Sequence, residues 1–233
     1  MRGWWRELAG LVLPVDCAGC GASRVLLCAG CREALSGAGA ARARLFPGPA
    51  GLPVVHAAAV YEGPVRAVLL AHKERGALPL AGALGAALAA AVRAGGAGEG
   101  EVALVPVPSA RRQVRARGHD PARRIALAAA GRLRRGGVPA RVVPVLRLRR
   151  AVADQSGLGA RQRRENLSGA LEVCRGGAAL TRGAALVLVD DLITTGATLA
   201  EAARAVRAAE PACEAGLRAA VVAATRTDRK SRE

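Results

Sequence analysis

The chain has 233 residues, with 35 Lys and Arg against 18 Asp and Glu and a formal net charge of +17. A hydrophobic content of 52% can bury a core and excludes global disorder, and the length suits one globular domain with at most a small appended module. Aromatic residues at 2% leave almost nothing for a base-stacking platform. The charge is uneven: Arg111 to Arg164 holds 16 arginines against two acids, Asp120 and Asp154, a local charge of +14. Such a field attracts polyanions, either phosphorylated small molecules or nucleic acid, while a solvated, Arg-biased surface is the plainer reading.

Taken in chain order, the first segment has an early Arg2, but Glu7 interrupts its apolar stretch, so it lacks the layout of a signal peptide. Trp4 and Trp5 are expected to pack a short leading helix. Next comes Cys17-Ala18-Gly19-Cys20, seven residues, and Cys28-Ala29-Gly30-Cys31. This C-x2-C-x7-C-x2-C pattern puts each pair on a tight turn, with Gly19 and Gly30 easing the backbone, so that four thiolates converge on one ion. Four sulfurs at a Zn–S distance of about 2.3 Å form a closed, structural zinc site. Two disulfides or an iron–sulfur cluster are the alternatives; the paired spacing and the missing secretion signal favour zinc. Cys174 and Cys213 stand alone and are expected to be plain buried thiols.

Ala34 to Pro53, rich in Ala, Gly, Arg and Pro, is expected to be a linker. From Val54 onward short β-type runs alternate with helical stretches. Strands are predicted at Val54–Val60, Val102–Val105, Ala140–Val145, Leu186–Val189 and Leu217–Ala223. Helices are predicted around Val65–Lys73, Leu78–Arg93, Pro121–Arg135 and Thr198–Ala209. The run Leu78–Val92 is apolar but, at 15 residues, shorter than the roughly 20 needed to span a bilayer. Alternating strands and helices indicate an α/β domain with a mainly parallel sheet, whose ligands sit beyond the carboxyl ends of the strands. The chain is expected to be soluble and cytoplasmic.

The strongest such loop follows the strand Leu186-Val187-Leu188-Val189. Two carboxylates, Asp190 and Asp191, stand at its end; then come Leu192, Ile193, Thr194, Thr195, Gly196, Ala197 and Thr198, where a helix begins. Free N–H groups at a helix start receive an anion, and the acids beside them suit sugar hydroxyls. The ligand that fits both is a sugar phosphate. An ordinary Thr N-cap would account for one threonine but not for the acids. A Walker B strand is excluded because neither lysine, Lys73 or Lys230, lies in a G-x-x-x-x-G-K-[ST] loop.

Leu186–Thr198 resembles the 5-phosphoribosyl-1-pyrophosphate (PRPP) motif of the type I phosphoribosyltransferases. With the four-cysteine knuckle in front, the chain resembles the ComF (ComFC) family, linked to natural competence and DNA uptake. Tyr61-Glu62-Gly63-Pro64-Val65-Arg66 with Lys73 and Gly76 resembles one family segment. Val105-Pro106-Val107-Pro108 with Arg111, Arg112, Arg117 and Gly118 resembles another, and Gln155, Gly157, Leu158, Arg163 and Asn166 a third. His119-Asp120-Pro121 departs from the family's usual Phe-Asn-Gln.

The resemblance implies the type I phosphoribosyltransferase fold with a small zinc knuckle: residues 1–36 as helix and knuckle, 37–53 as linker, 54–227 as the transferase-like domain and 228–233 as a tail. It implies that Asp190 and Asp191 are catalytic and hold the ribose hydroxyls, directly or through Mg2+. All of Asp190 to Thr198, Leu192 and Ile193 included, would bind PRPP, with Thr194, Thr195, Gly196, Ala197 and Thr198 wrapping the 5′-phosphate. Pro108, Ser109, Ala110, Arg111 and Arg112 would face the pyrophosphate, and a flexible loop from Arg147 to Asn166, with Gln155 and Arg163, would close the site. The implied function is PRPP/Mg2+ binding and phosphoribosyl transfer to an acceptor. The alternative is a PRPP-sensing or single-stranded-DNA-binding accessory factor of a DNA-uptake motor, using the Arg111–Arg164 segment.

Overall fold

The computed structural model describes residues 16–96, 100–152, 159–210 and 216–226. The expected leading helix around Trp4 and Trp5, and also Cys213, Lys230, Gln155, Gly157 and Leu158, lie outside the described residues.

The elements in order are α1 (Ala29–Glu33), β1 (Ala41–Arg42), β2 (Val54–Val60), α2 (Gly63–Glu74), a 3-10 turn (Leu78–Leu80), α3 (Ala81–Ala94), β3 (Val102–Pro106), α4 (Arg111–Arg117), α5 (Pro121–Arg135), β4 (Ala140–Val142), β5 (Leu146–Leu148), α6 (Ala160–Leu167), β6 (Leu171–Val173), a second 3-10 turn (Gly177–Leu180), β7 (Ala185–Ile193), α7 (Ala197–Ala209) and β8 (Arg218–Ala224). Six strands form one sheet in the order β1-β2-β8-β7-β3-β4, parallel throughout except for β1, which runs antiparallel to β2. β5 and β6 form a separate antiparallel pair. Helices flank the sheet, as expected for an α/β domain.

The period-2 alternation of each strand divides its side chains between two cores. Val102, Leu104, Val187, Val189, Ala220 and Val222 join Val68, Leu84, Leu88, Ile125 and Leu133 of α2, α3 and α5 on one face. Ala103, Val105, Leu186, Leu188, Ala219 and Val221 join Leu199, Ala202 and Val206 of α7 on the other. α3 and α5 approach closely at Gly85, where a Cβ would lie 2.5 Å from Ala128 Cβ and 2.8 Å from Ala129 N. Only a glycine permits this backbone distance.

Several boundaries differ from expectation. β7 continues through both acids to Ile193, because Asp190 and Leu192 keep their ladder partners Val221 and Ala223 on β8. The strand expected over Ala140–Val145 stops at Val142. The Leu78–Arg93 stretch divides into a 3-10 turn and α3, with Pro79 at the front of that turn. The Arg147–Asn166 span holds β5 at one end and α6 at the other. Cys174 is part-buried rather than buried.

Residues 37–53 contribute β1 to the sheet edge, and Leu45 and Leu52 pack against the α7-side core. The knuckle shares the other core: Cys17, Leu27, Cys31 and Leu35 are buried with Val65 and Leu69 of α2. Among the described residues no helix is long and apolar enough to cross a membrane.

Candidate functional site

The sheet topology creates the cleft. From β3 the chain moves outward to the edge strand β4 by way of α5, on one face. From β7 it moves the other way to β8 by way of α7, on the opposite face. β3 and β7 are neighbours, so their carboxyl ends diverge at a topological switch point, where a crevice opens. A cavity of about 450 Å3 sits there. Its walls include Pro108, Ser109 and Ala110 after β3, Asp190, Asp191, Leu192, Thr194 and Thr198 from β7 and α7, and Lys73 and Glu74 from α2. Asp190, Asp191, Thr194 and Thr198 of the sequence-derived sugar-phosphate residues thereby meet the turn assigned to pyrophosphate, whereas Thr195, Gly196 and Ala197 do not line the cavity.

The acid pair is asymmetric. Asp191 is buried and its Oδ2 accepts from Lys73 Nζ at 2.7 Å. Asp190 Oδ1 accepts from the Asp191 backbone N–H at 2.8 Å. Burial, followed by the charge of Asp191, pushes the Asp190 carboxyl well above the usual carboxylate range, with Lys73 opposing. Burial works against the Lys73 ammonium, yet Asp191 and Asp190 outweigh it and hold its pKa above the ordinary value.

The turn to α7 is built by Gly196 at φ 75°, the N-cap, with no side-chain hydrogen bond to the cap. Here both conformation and space demand glycine, since a Cβ would meet Leu45 at 2.8 Å and Leu52 at 3.1 Å. Thr195 Oγ1 accepts from Ala197 N–H at 3.4 Å. Ile193 points into the core instead. Of the β3-side residues, Arg111 and Arg112 lie exposed on α4 and do not line the cavity; Gln113 and Arg117 of the same helix do. Asn166 lies in α6 with its carbonyl accepting from Arg150 at 2.9 Å, and of Arg163 the backbone alone is described.

The His119-Asp120-Pro121 departure acquires a structural meaning. Asp120 caps α5, accepting from Arg123 N–H at 3.1 Å, while its other oxygen accepts from Ser109 N–H at 3.3 Å. It therefore ties the β3-side turn to α5. Asp before Pro at a helix start is a readable cap signal; its second bond is not. His119 is buried with one ring nitrogen 3.0 Å from Arg117 O and the other 3.1 Å from His72 O. Tyr61, Lys73, Glu74, Gln113 and Arg117 were not assigned as site residues from sequence, and all line the cavity.

The four cysteines converge as the spacing requires, with all Sγ atoms within 4.8 Å of one another. Cys20 and Cys28 are 3.6 Å apart at sulfur, near the roughly 3.8 Å edge of a tetrahedron with 2.3 Å Zn–S bonds. The Cys28 N–H donates to Cys17 Sγ at 3.3 Å, and this bond leads the causes that lower the Cys17 thiol to about 6. Burial, then the neighbouring thiols, pushes Cys31 up. The cluster could hold a metal ion such as zinc. The glycines act differently from expectation: Gly21 supplies the positive φ, at 79°. Gly19 is needed for space, since a Cβ there would lie 2.6 Å from Cys31 Sγ, whereas a Cβ at Gly30, in α1, would meet nothing within 4 Å among the described residues.

Comparison with known proteins adds one match and one absence. The family model of the phosphoribosyl transferase domain matches residues 125–233, a span from α5 through the acid pair and the Thr194–Thr198 turn to the end of the chain. No curated protein matches the chain. Together with the mostly parallel, helix-flanked sheet, that match means the chain carries a phosphoribosyl transferase domain, preceded by a four-cysteine cluster.

Proposed function

We propose that the cleft binds PRPP with Mg2+ and transfers its phosphoribosyl group to an acceptor, releasing pyrophosphate, in a ComF-like protein with a structural zinc knuckle and a role in DNA uptake. The observation that carries this reading is the convergence of the acid pair, Thr194 and Thr198 with the Pro108–Ala110 turn on one cavity, whose β7–α7 side lies in the residues that match the phosphoribosyl transferase domain. Asp190 and Asp191 receive the ribose hydroxyls. The first-turn N–H groups of α7 and the threonine hydroxyls receive the 5′-phosphate. An acceptor lone pair forms the bond to the anomeric carbon, the carbon–oxygen bond to pyrophosphate breaks with its electron pair leaving on oxygen, and the acceptor's proton is released.

The hydroxyls of Ser109, Thr194 and Thr198 on the cavity wall are hard oxygen donors of the kind Mg2+ takes, beside those of the diphosphate itself, so the residues present fit the ion. When bound with the diphosphate it neutralises charge on the leaving group. The Ser109 turn, held by Asp120, lines the same cavity.

Calorimetric titration of PRPP with Mg2+ tests the reading against the Asp190→Asn/Asp191→Asn double variant. Each hydrogen bond to a charged group contributes about 1.5–3 kcal/mol, so the variant is expected to bind at least about tenfold more weakly. A folded, zinc-loaded wild type that binds no PRPP overturns the proposal.

One observation favours a second reading, in which the chain acts on single-stranded DNA. Arg111, Arg112 and Arg115 of α4 and Arg123 and Arg124 of α5 are all exposed beside the cleft. Such binding is phosphate-directed, with log affinity falling by about 0.7 per neutralised phosphate for each log unit of salt. Affinity unchanged between roughly 50 and 200 mM salt refutes it.

A further inference from the structure

Two cations line the cavity among the described residues, Lys73 and Arg117. Arg117 is engaged elsewhere: its Nε and Nη2 donate to the two oxygens of Glu74 at 2.9 and 2.7 Å. Lys73 instead reaches the acid pair, 118 positions away in sequence, where its ammonium lies 2.7 Å from Asp191 Oδ2.

This placement is fixed from both sides. On one side His72 is fully buried and its carbonyl meets the His119 ring at 3.1 Å; on the other, Glu74 is clasped by Arg117. Three consecutive residues at the end of α2 thus have three separate partners, and the backbone that carries Lys73 is held on either side. Its side chain keeps 34% exposure while that of Asp191 keeps 7%, so the ammonium closes the buried carboxylate and still faces the cavity. The residue type suits the position. In a chain with two lysines among 35 basic residues, a compact ammonium stands where an arginine would demand a planar, two-oxygen partner.

We propose that Lys73 is the resident cation of the acid pair: its ammonium, in the place of a divalent ion, balances Asp191 while Asp190 and Asp191 receive the ribose hydroxyls. Lys73 acts through Asp191 and is a positioning residue. Mg2+ then enters with the diphosphate and serves the leaving group alone. This inference rests on the PRPP reading above and adds the division of charge within that site: lysine on the sugar side, metal on the diphosphate side.

The test uses ribose 5-phosphate, which has the hydroxyls and the 5′-phosphate but no diphosphate. It is titrated calorimetrically into zinc-loaded wild type, Lys73→Met and Lys73→Arg, each in resin-treated Mg2+-free buffer and again in 5 mM Mg2+. Chelators are avoided because they would strip the knuckle. The wild-type affinity is expected to change less than threefold with Mg2+. The methionine variant should bind at least tenfold more weakly without Mg2+ and recover to within threefold of wild type with it. The arginine variant should stay indifferent to Mg2+, whatever its absolute affinity. A lysine that merely stabilised the fold would weaken binding equally in both buffers.

The inference is overturned if wild type needs Mg2+ for ribose 5-phosphate, or if Lys73→Met binds like wild type without the ion. Should the methionine variant fail to fold, the wild-type and arginine arms still decide it. Wild type that binds ribose 5-phosphate in neither buffer brings down the PRPP reading as well, an outcome distinct from Mg2+-dependent binding.

Discussion

Acidification acts on His72 through the fold rather than through the site. The residue is fully buried at the end of α2, and among the described residues neither ring nitrogen has a hydrogen-bond partner. The His119 ring packs edge-on at 5.4 Å between centroids. Burial, then the His119 and Arg124 charges, lowers the His72 pKa to about 4 from 6.5, with Asp191 opposing. Between these values the unfolded chain binds a proton that the folded chain refuses. Stability is therefore intact above about pH 6.5 and falls as the pH descends toward 4. A gap of about 2.5 pH units corresponds to roughly 3 kcal/mol in full, of which about 2 kcal/mol is expressed at pH 5.

The comparison is with His72→Leu, which keeps an apolar body of similar size and leaves the backbone carbonyl free to meet His119. Urea unfolding of both zinc-loaded proteins, followed by circular dichroism at pH 7, 6 and 5, reads the difference. Contributions from His56, whose pKa burial also lowers, and from the thiols are shared and cancel. Wild type should lose about 2 kcal/mol more than the leucine variant between pH 7 and pH 5. Equal losses, within about 0.5 kcal/mol, would show that His72 takes its proton without resistance and refute the burial argument.

Gly85→Ala should destabilise by about 1–3 kcal/mol in urea, against the gain of about 1 kcal/mol that alanine brings to an open helix position, because its Cβ meets the α5 backbone. Unchanged or raised stability would mean that α3 and α5 part freely. Cys31→Ser should abolish stoichiometric zinc by elemental analysis and cost about 3 kcal/mol or more, lowering Tm by roughly 6–12 °C, because the knuckle packs into the same core as α2. Full zinc retention with wild-type Tm would contradict this.

The sequence by itself determined the longer strands and helices and the local chemistry. Val54–Val60 and Pro121–Arg135 form as read, because one strand's alternation and one helix's capped apolar stripe are contained within their own residues. The four cysteines, and the acids followed by the threonine turn, were legible for the same reason: each motif is closed over a short stretch of chain. The β5–β6 pair was not. Its strands have three residues each, too few to show a periodicity, β5 lies in an arginine-rich run, and the pair is held by partners across the gap, Arg147 and Arg149 on Glu172 at 2.9 and 3.1 Å.

The tertiary structure alone decided how the site is wired. Nothing near Lys73 in sequence announces Asp191, and nothing near Glu74 announces Arg117. Asp120 reads as a helix cap, but its hold on Ser109 appears only when β3 and α5 are set side by side. Residues 37–53 read as a linker from composition, yet Leu45 and Leu52 lie over Gly196. Pattern and propensity act over a few residues, whereas an ion pair or a packed glycine depends on distances that the folded sheet creates.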